Sequence, residues 1–195
     1  SPASPSSLLL IDMHHIISDG VSQAVLEEEF ARLCSDDADA RGLEPLRLQY
    51  KDFACRLNGE AQQQHIALQG DYWLERFSGE LPVLELPTDA PRPAVRSYEG
   101  GALDFRLSAE ETRALKQLAE SNHATLYMTL SACFTLLLSK LSGAEDIILG
   151  GPTAGRRHAE LASIIGMFVN TLAFRNAVPG GQTFSAFLAG VKENA

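Results

Sequence analysis

Leu8-Leu9-Leu10-Ile11-Asp12-Met13-His14-His15 runs directly into Ile16-Ile17-Ser18-Asp19-Gly20. A short apolar run bounded by turn residues predicts a buried strand over 8–15. Beyond the turn, Val21, Val25, Leu26, Phe30 and Leu33 share one helical face, with Glu27, Glu28 and Glu29 on or near the wet side. Ser18 and Asp19 stand where an N-cap belongs. The junction is therefore strand, turn, helix, with two histidines closing the strand. Side chains alternate along a strand, so His15 shares a face with Met13, Ile11 and Leu9, and His14 shares the other with Asp12 and Leu10. Adjacent histidines on opposite faces do not serve one atom. His15 is expected to face a solvent-filled groove between the two halves of the chain, and His14 the protein. Asp19 is expected to fix the turn by accepting backbone N–H groups or an arginine. Gly20 permits a positive φ and close approach of substrate to backbone. The plain alternative is two satisfied histidines at a strand end and an ordinary N-cap. A doublet followed four residues later by Asp-Gly shifts the balance toward a site. Metal pairs on a helix want i, i+4 spacing, and no carboxylate or cysteine stands at ligand spacing here, so no metal is expected. Neither a glycine-rich phosphate loop nor a GxSxG elbow is present.

Composition narrows the classes around this junction. The 195 residues, 45% hydrophobic and 21% charged, are ordinary for a globular chain and argue against global disorder. With 16 basic and 25 acidic residues the net charge is −9, which disfavours nonspecific binding to nucleic acid or to an anionic membrane. No apolar run reaches the ~18 residues of a membrane span. The opening stretch, 1–7, has no positive charge and is not expected to be a secretory signal. Cys34, Cys55 and Cys133 lie far apart without CxxC spacing, which argues against a disulfide scaffold or zinc site and fits a reducing cytoplasm. Each is expected to act as a small apolar residue in a helix.

Residues 35–48 are polar and irregular. Helices are expected over 50–57 and from about 65 to 77, the second stopping at Ser78-Gly79. Leu86-Pro87-Thr88-Asp89-Ala90-Pro91-Arg92-Pro93 has three prolines in seven residues, which force an extended path and mark a linker. Leu103, Phe105 and Leu107 alternate with charged residues, predicting a half-buried strand. Ser108-Ala109-Glu110-Glu111 is a capping box opening a helix. The 125–141 segment is apolar nearly all round and reads as a core helix. Strands follow over 146–151 and 168–175, and a helix over 183–193. The fold class is α/β, with strands and helices mixed along the chain in two halves. They divide as 1–85, a linker over 86–98, and 99–195.

His14-His15-Ile16-Ile17-Ser18-Asp19-Gly20 resembles the HHxxxDG signature of nonribosomal peptide synthetase condensation domains, shared across the chloramphenicol-acetyltransferase-like superfamily. Tyr50-Lys51-Asp52-Phe53-Ala54 resembles their YxDFA motif. Ile165-Gly166-Met167-Phe168-Val169-Asn170-Thr171-Leu172 with Arg175 resembles IGxFVNTxxxR. Tyr72-Trp73-Leu74, Leu84-Glu85-Leu86-Pro87-Thr88-Asp89, Glu145-Asp146-Ile147-Ile148-Leu149-Gly150 and Gly155-Arg156 add to the likeness, which spans nearly the whole chain in order. Cyclization domains replace the doublet motif with an aspartate-based one. Epimerization domains lack the Phe-Val-Asn-Thr strand and usually continue with Trp-Arg where Gln23-Ala24 stands here. Met167 stands where the family often has an aromatic residue.

The resemblance implies the chloramphenicol-acetyltransferase-like fold, an α+β two-layer sandwich, with two subdomains in a V and a tunnel between them. The chain would hold the back half of the first and the front half of the second. It implies amide-bond formation between an acyl or peptidyl thioester and the amine of an aminoacyl thioester. Both substrates ride on phosphopantetheine arms of upstream and downstream peptidyl carrier domains, with an adenylation domain in the same assembly line and no cofactor bound directly. An α-amine of pKa ~8 is only ~10% free base near pH 7. A histidine can accept the proton released on attack or orient the amine. Holding the two thioesters together contributes rate beyond proton transfer. Catalytic candidates are His15 on the substrate face, His14 and Asp19 in positioning, and Gly20 at the backbone near the oxyanion. Should an arginine rather than backbone N–H groups hold Asp19, the front half missing from this chain is one place for it. Tyr50, Asp52, Asn170 and Arg175 are the substrate- and tunnel-lining candidates. Packing and capping compete for Tyr50 and Asp52, strand crosslinking for Asn170, and a surface charge or inter-subdomain tie for Arg175. Two other readings are an acyl-CoA-type acyltransferase of the same fold and a non-catalytic module that docks carrier proteins. The isolated chain is expected to be inactive and to self-associate through unpaired edges and apolar surface.

Overall fold

The structure, a computed structural model, describes residues 8–35, 42–95 and 97–194. The Ser/Pro-rich opening, part of the irregular 35–48 stretch and one linker position, 96, lie outside the described residues.

Helix starts follow local chemistry. Asp19 caps α1 (Gly20–Leu33) by accepting from Ser22 N–H. α2 (Tyr50–Leu57) opens on a box between Gln49 and Asp52, and α3 (Glu60–Arg76) follows after Gly59. Ser108 and Glu111 form the capping box of α4 (Ala109–Ser121). Thr125 caps α5 (Leu126–Ser142), which ends on Gly143 at φ +73, a left-handed stop that suits glycine. α4 and α5 meet at a bend of 103°. β1 (Asp146–Thr153) and β2 (Asn170–Ala177) form a two-stranded sheet, and α6 (Phe184–Glu193) closes the order under a Thr183 cap.

Two compact units result. One takes the described residues within Ser1–Trp73 and Pro152–Leu172. Its small core is Leu161, Ile164 and Phe168, against Leu48, Tyr50 and Phe53. The other takes those within Leu74–Gly151 and Ala173–Ala195. There Ala132 and Leu138 of α5 pack with Ile147, Val178 and the α6 residues Phe187, Leu188 and Val191. The linear division at the proline-rich stretch is thus not the division of the contacts. The 152–172 segment folds back onto the first unit because Arg156, Gly166 and Phe168 bond to the start of α1. The stretch 86–95 carries no regular element, as three prolines dictate.

Two expected strands are not strands. The stretches 8–15 and 103–107 have no ladder among the described residues, and Leu8, Leu10, Leu103 and Phe105 are exposed. Alternation predicts which side chains share a face, but a strand exists only when a neighbour supplies hydrogen bonds. Likewise α1 buries only Ser22, and Phe30 and Leu33 stay open. α5 is not a core helix on all sides. Thr129, Ala132, Thr135, Leu138 and Ser139 are buried, whereas Tyr127, Leu130, Phe134, Leu137 and Leu141 form an exposed stripe. Cys34, Cys55 and Cys133 are free thiols and all exposed, rather than packed as small apolar residues. No single helix among the described residues is long and apolar enough to cross a membrane.

Candidate active site

The histidine turn is closed by two short-range bonds. Ile17 N–H donates to His14 O (3.1 Å), and Ile16 N–H donates to His14 Nδ1 (3.0 Å). With Nδ1 used as acceptor, neutral His14 carries its proton on Nε2. Both histidines are exposed, so His14 does not turn into the protein as strand alternation predicted. Residues 14–17 form a turn instead, and alternation does not hold through a turn. His15 has no hydrogen-bond partner among the described residues, which leaves both ring nitrogens available to a substrate.

Asp19 is the buried anchor of this turn, 2% exposed. Its Oδ1 accepts from Ser22 N–H (2.8 Å), Ser22 Oγ–H (2.7 Å) and Arg156 Nη2 (3.0 Å), and its Oδ2 accepts from Phe168 N–H (3.1 Å). Burial by itself pushes this carboxyl up. The bonds from the Ser22 hydroxyl, the Ser22 and Phe168 backbones and Arg156 outweigh it and hold the group well below its ordinary value of 3.8. Both carboxylate oxygens of Asp19 are thus engaged by protein donors.

Asp19 has both kinds of partner, the backbone N–H groups and an arginine of this same chain. Arg156 spans from Asp19 to the 161–164 turn, its Nη1 donating to Leu161 O and Ile164 O (2.7 Å). Its guanidinium lies over the Phe168 ring, 4.0 Å from the centroid. Its Nε is buried with no partner among the described residues. Gly155 makes the approach possible. At φ +68, a Cβ there would stand 2.0 Å from Phe168 O. Gly155-Arg156 was visible as a motif, but a buried carboxylate with N–H donors on both oxygens does not announce from which distant segment its cation comes.

Gly20 begins α1 without using the positive φ open to it, and an added Cβ would meet nothing within 4 Å. The space beside its backbone is open. Tyr50 is half-buried. Its hydroxyl donates to Met167 O (2.8 Å), and its ring fills the place of a Gly166 side chain, 2.2 Å from an ideal Cβ. It meets Phe168 edge-on at 5.1 Å. Asp52 accepts from Gln49 N–H (2.8 Å) as a helix cap. Packing and capping describe these two contacts. Asn170 is exposed, with Oδ1 accepting from Thr171 N–H (2.8 Å). Arg175 belongs to the second unit. Its Nε and Nη2 grip Asp146 at 2.7–3.2 Å, and its Nη groups reach the carbonyls of Arg76, Ser78 and Glu80. The Asp146 hydrogen bonds raise its pKa. Arg175 thereby ties β2 to β1 and to the 76–80 segment, within one unit.

The profile described as Condensation domain matches residues 3–195, and the chain belongs to that family. It is 52% identical over 187 residues to tyrocidine synthase 3 of Brevibacillus parabrevis. It is 48% identical over 188 residues to bacitracin synthase 3 of Bacillus licheniformis. Each match covers 96% of this chain, which spans only 3% of either protein. The first condensation domain of the calcium-dependent antibiotic synthetase, solved with a substrate analogue, superposes with a TM-score of 0.65 at 27% identity, over 93% of this chain and 39% of that one.

Proposed function

We propose that this chain is the part of a nonribosomal peptide synthetase condensation domain that carries the histidine turn. The domain joins a carrier-bound acyl or peptidyl thioester to the amine of a carrier-bound aminoacyl thioester. One observation carries the reading: a histidine without a hydrogen-bond partner among the described residues, on a turn that runs into the Asp19, Arg156 and Phe168 bonds. The new C–N bond forms as the amine attacks the thioester carbonyl. His15 takes the amine proton or orients the nitrogen for attack, and the C–S bond then breaks with the proton passing to the leaving thiolate. His14, with Nδ1 tied to Ile16 N–H, shapes the turn, and the open space beside Gly20 admits the substrate carbonyl. Asn170, exposed at the start of β2, is the remaining substrate-lining candidate. The partners are the flanking carrier domains, whose phosphopantetheine arms deliver both substrates, and an adenylation domain of the same cytoplasmic assembly line. Activity belongs to the complete domain, and the 195-residue chain by itself is expected to form no amide bond.

The test is single-turnover amide formation by the complete domain with loaded carrier partners. His15→Ala should slow it by ~10²–10⁴-fold. A loss below threefold would remove His15 from the chemistry. Transfer from an acyl-CoA in place of a carrier-bound donor would instead favour an acyl-CoA-type acyltransferase.

A further inference from the structure

Ser22, in the first turn of α1, is the one fully buried residue of that helix. Four polar groups converge on its hydroxyl. Asp19 Oδ1 lies at 2.7 Å, Gly166 O at 2.9 Å, and Gly166 N–H and Arg156 Nη2 each at 3.0 Å. A hydroxyl has one proton and two lone pairs. The two N–H donors fill the lone pairs, and the proton is contested between Asp19 Oδ1 and Gly166 O. Asp19 already receives three N–H bonds, from Ser22, Arg156 and Phe168, whereas Ser22 is the donor that Gly166 O has among the described residues. One oxygen thus accepts from the N–H of a glycine 144 residues away and stands 2.9 Å from the C=O of the same glycine. Nothing larger than glycine fits there, because Tyr50 closes the other side.

We propose that Ser22 is a positioning residue for amide formation. It clamps the first turn of α1, and with it the turn that presents His15, to the backbone of the 165–170 segment, so that the two move as one body. The inference rests on the reading of His15 above. Ser22 touches no reacting atom, and its influence passes through the placement of His15. Without the oxygen, Gly166 N–H and C=O lose their buried partner, and a shift of ~1 Å in the histidine turn can cost ~10²-fold in rate.

The experiment is Ser22→Ala in the complete domain, assayed with loaded carriers and normalised to folded protein by circular dichroism well below the melting transition. The expected result is a kcat lower by ~10–100-fold with KM changed less than threefold, since binding surfaces are untouched. An intact kcat, or a loss carried by KM, overturns the proposal while leaving that for His15 standing. An inactive wild-type domain overturns the reading of His15 and this inference with it. If Ser22→Ala does not fold, amide exchange in the wild-type chain decides. Ser22, Gly166 and Phe168 N–H should exchange within about tenfold of one another, as one opening unit. A Gly166 amide exchanging more than ~100-fold faster than that of Ser22 overturns the clamp.

Discussion

Replacing Asp19 by asparagine leaves shape almost unchanged and removes one charge beneath the histidine turn. The cost follows from the contacts. Arg156 and Asp19 expose only 6% and 2% of their side chains, so the guanidinium is left buried opposite a neutral amide. Breaking a buried pair by removing one partner costs about 3–5 kcal/mol. If the new NH₂ takes the Oδ2 position, it also faces Phe168 N–H, donor against donor, and an unsatisfied buried donor costs a further ~1–3 kcal/mol. A typical domain has only about 5–15 kcal/mol in all. With a urea slope of about 2 kcal/mol/M, 3–5 kcal/mol moves the unfolding midpoint of the complete domain down by about 1.5–2.5 M. Asp19→Asn combined with Arg156→Met removes both charges, and the double variant should be about 2 kcal/mol more stable than the sum of the single losses predicts. The pH dependence has a definite sign. The folded carboxyl lies below its ordinary 3.8, so its stabilisation is complete above about pH 4 and is lost as the pH falls from there toward the folded value. Asp19→Asn should flatten that acid limb. An Asp19→Asn domain with an unchanged midpoint but no chemistry would refute the structural role and make Asp19 a participant in the reaction.

Gly166→Ala should destabilise the first unit by about 1–3 kcal/mol, because its Cβ would overlap the Tyr50 ring, and the loss should shrink in Tyr50→Ala. Equal losses in both backgrounds, measured by urea unfolding, would contradict that packing. Tyr50→Phe removes the bond to Met167 O and is expected to cost about 1 kcal/mol while leaving kcat within threefold. A larger fall in kcat would restore Tyr50 as a substrate-lining residue. The isolated chain should self-associate through the exposed stripe Tyr127, Leu130, Phe134, Leu137 and Leu141. Light scattering checks this, with Leu130→Glu and Phe134→Glu shifting the population toward monomer. A wild-type chain that stays monomeric at high concentration would defeat it.

Much of this protein is local and readable in one dimension. Caps at Asp19, Ser108 and Thr125, the helix α2 from Tyr50 to Leu57 and the irregular proline stretch each depend on neighbours within a few residues. The motif series His14 to Gly20, Tyr50 to Ala54 and Ile165 to Leu172 was enough to place the chain in its family, because spacing and order survive without coordinates. What tertiary structure decided is what long-range partners decide. The stretches 8–15 and 103–107 carry strand patterns but form no strand among the described residues, since a pattern of side chains does not supply a hydrogen-bonded neighbour. The division into units follows the 152–172 segment across the linear boundary. The partner of Asp19 lies 137 residues away at Arg156, and the oxygen joining them belongs to Ser22, which looks in sequence like any serine in a first helical turn. A buried charge is satisfied by whichever groups folding brings within ~3 Å, and that distance is fixed by packing rather than by order along the chain.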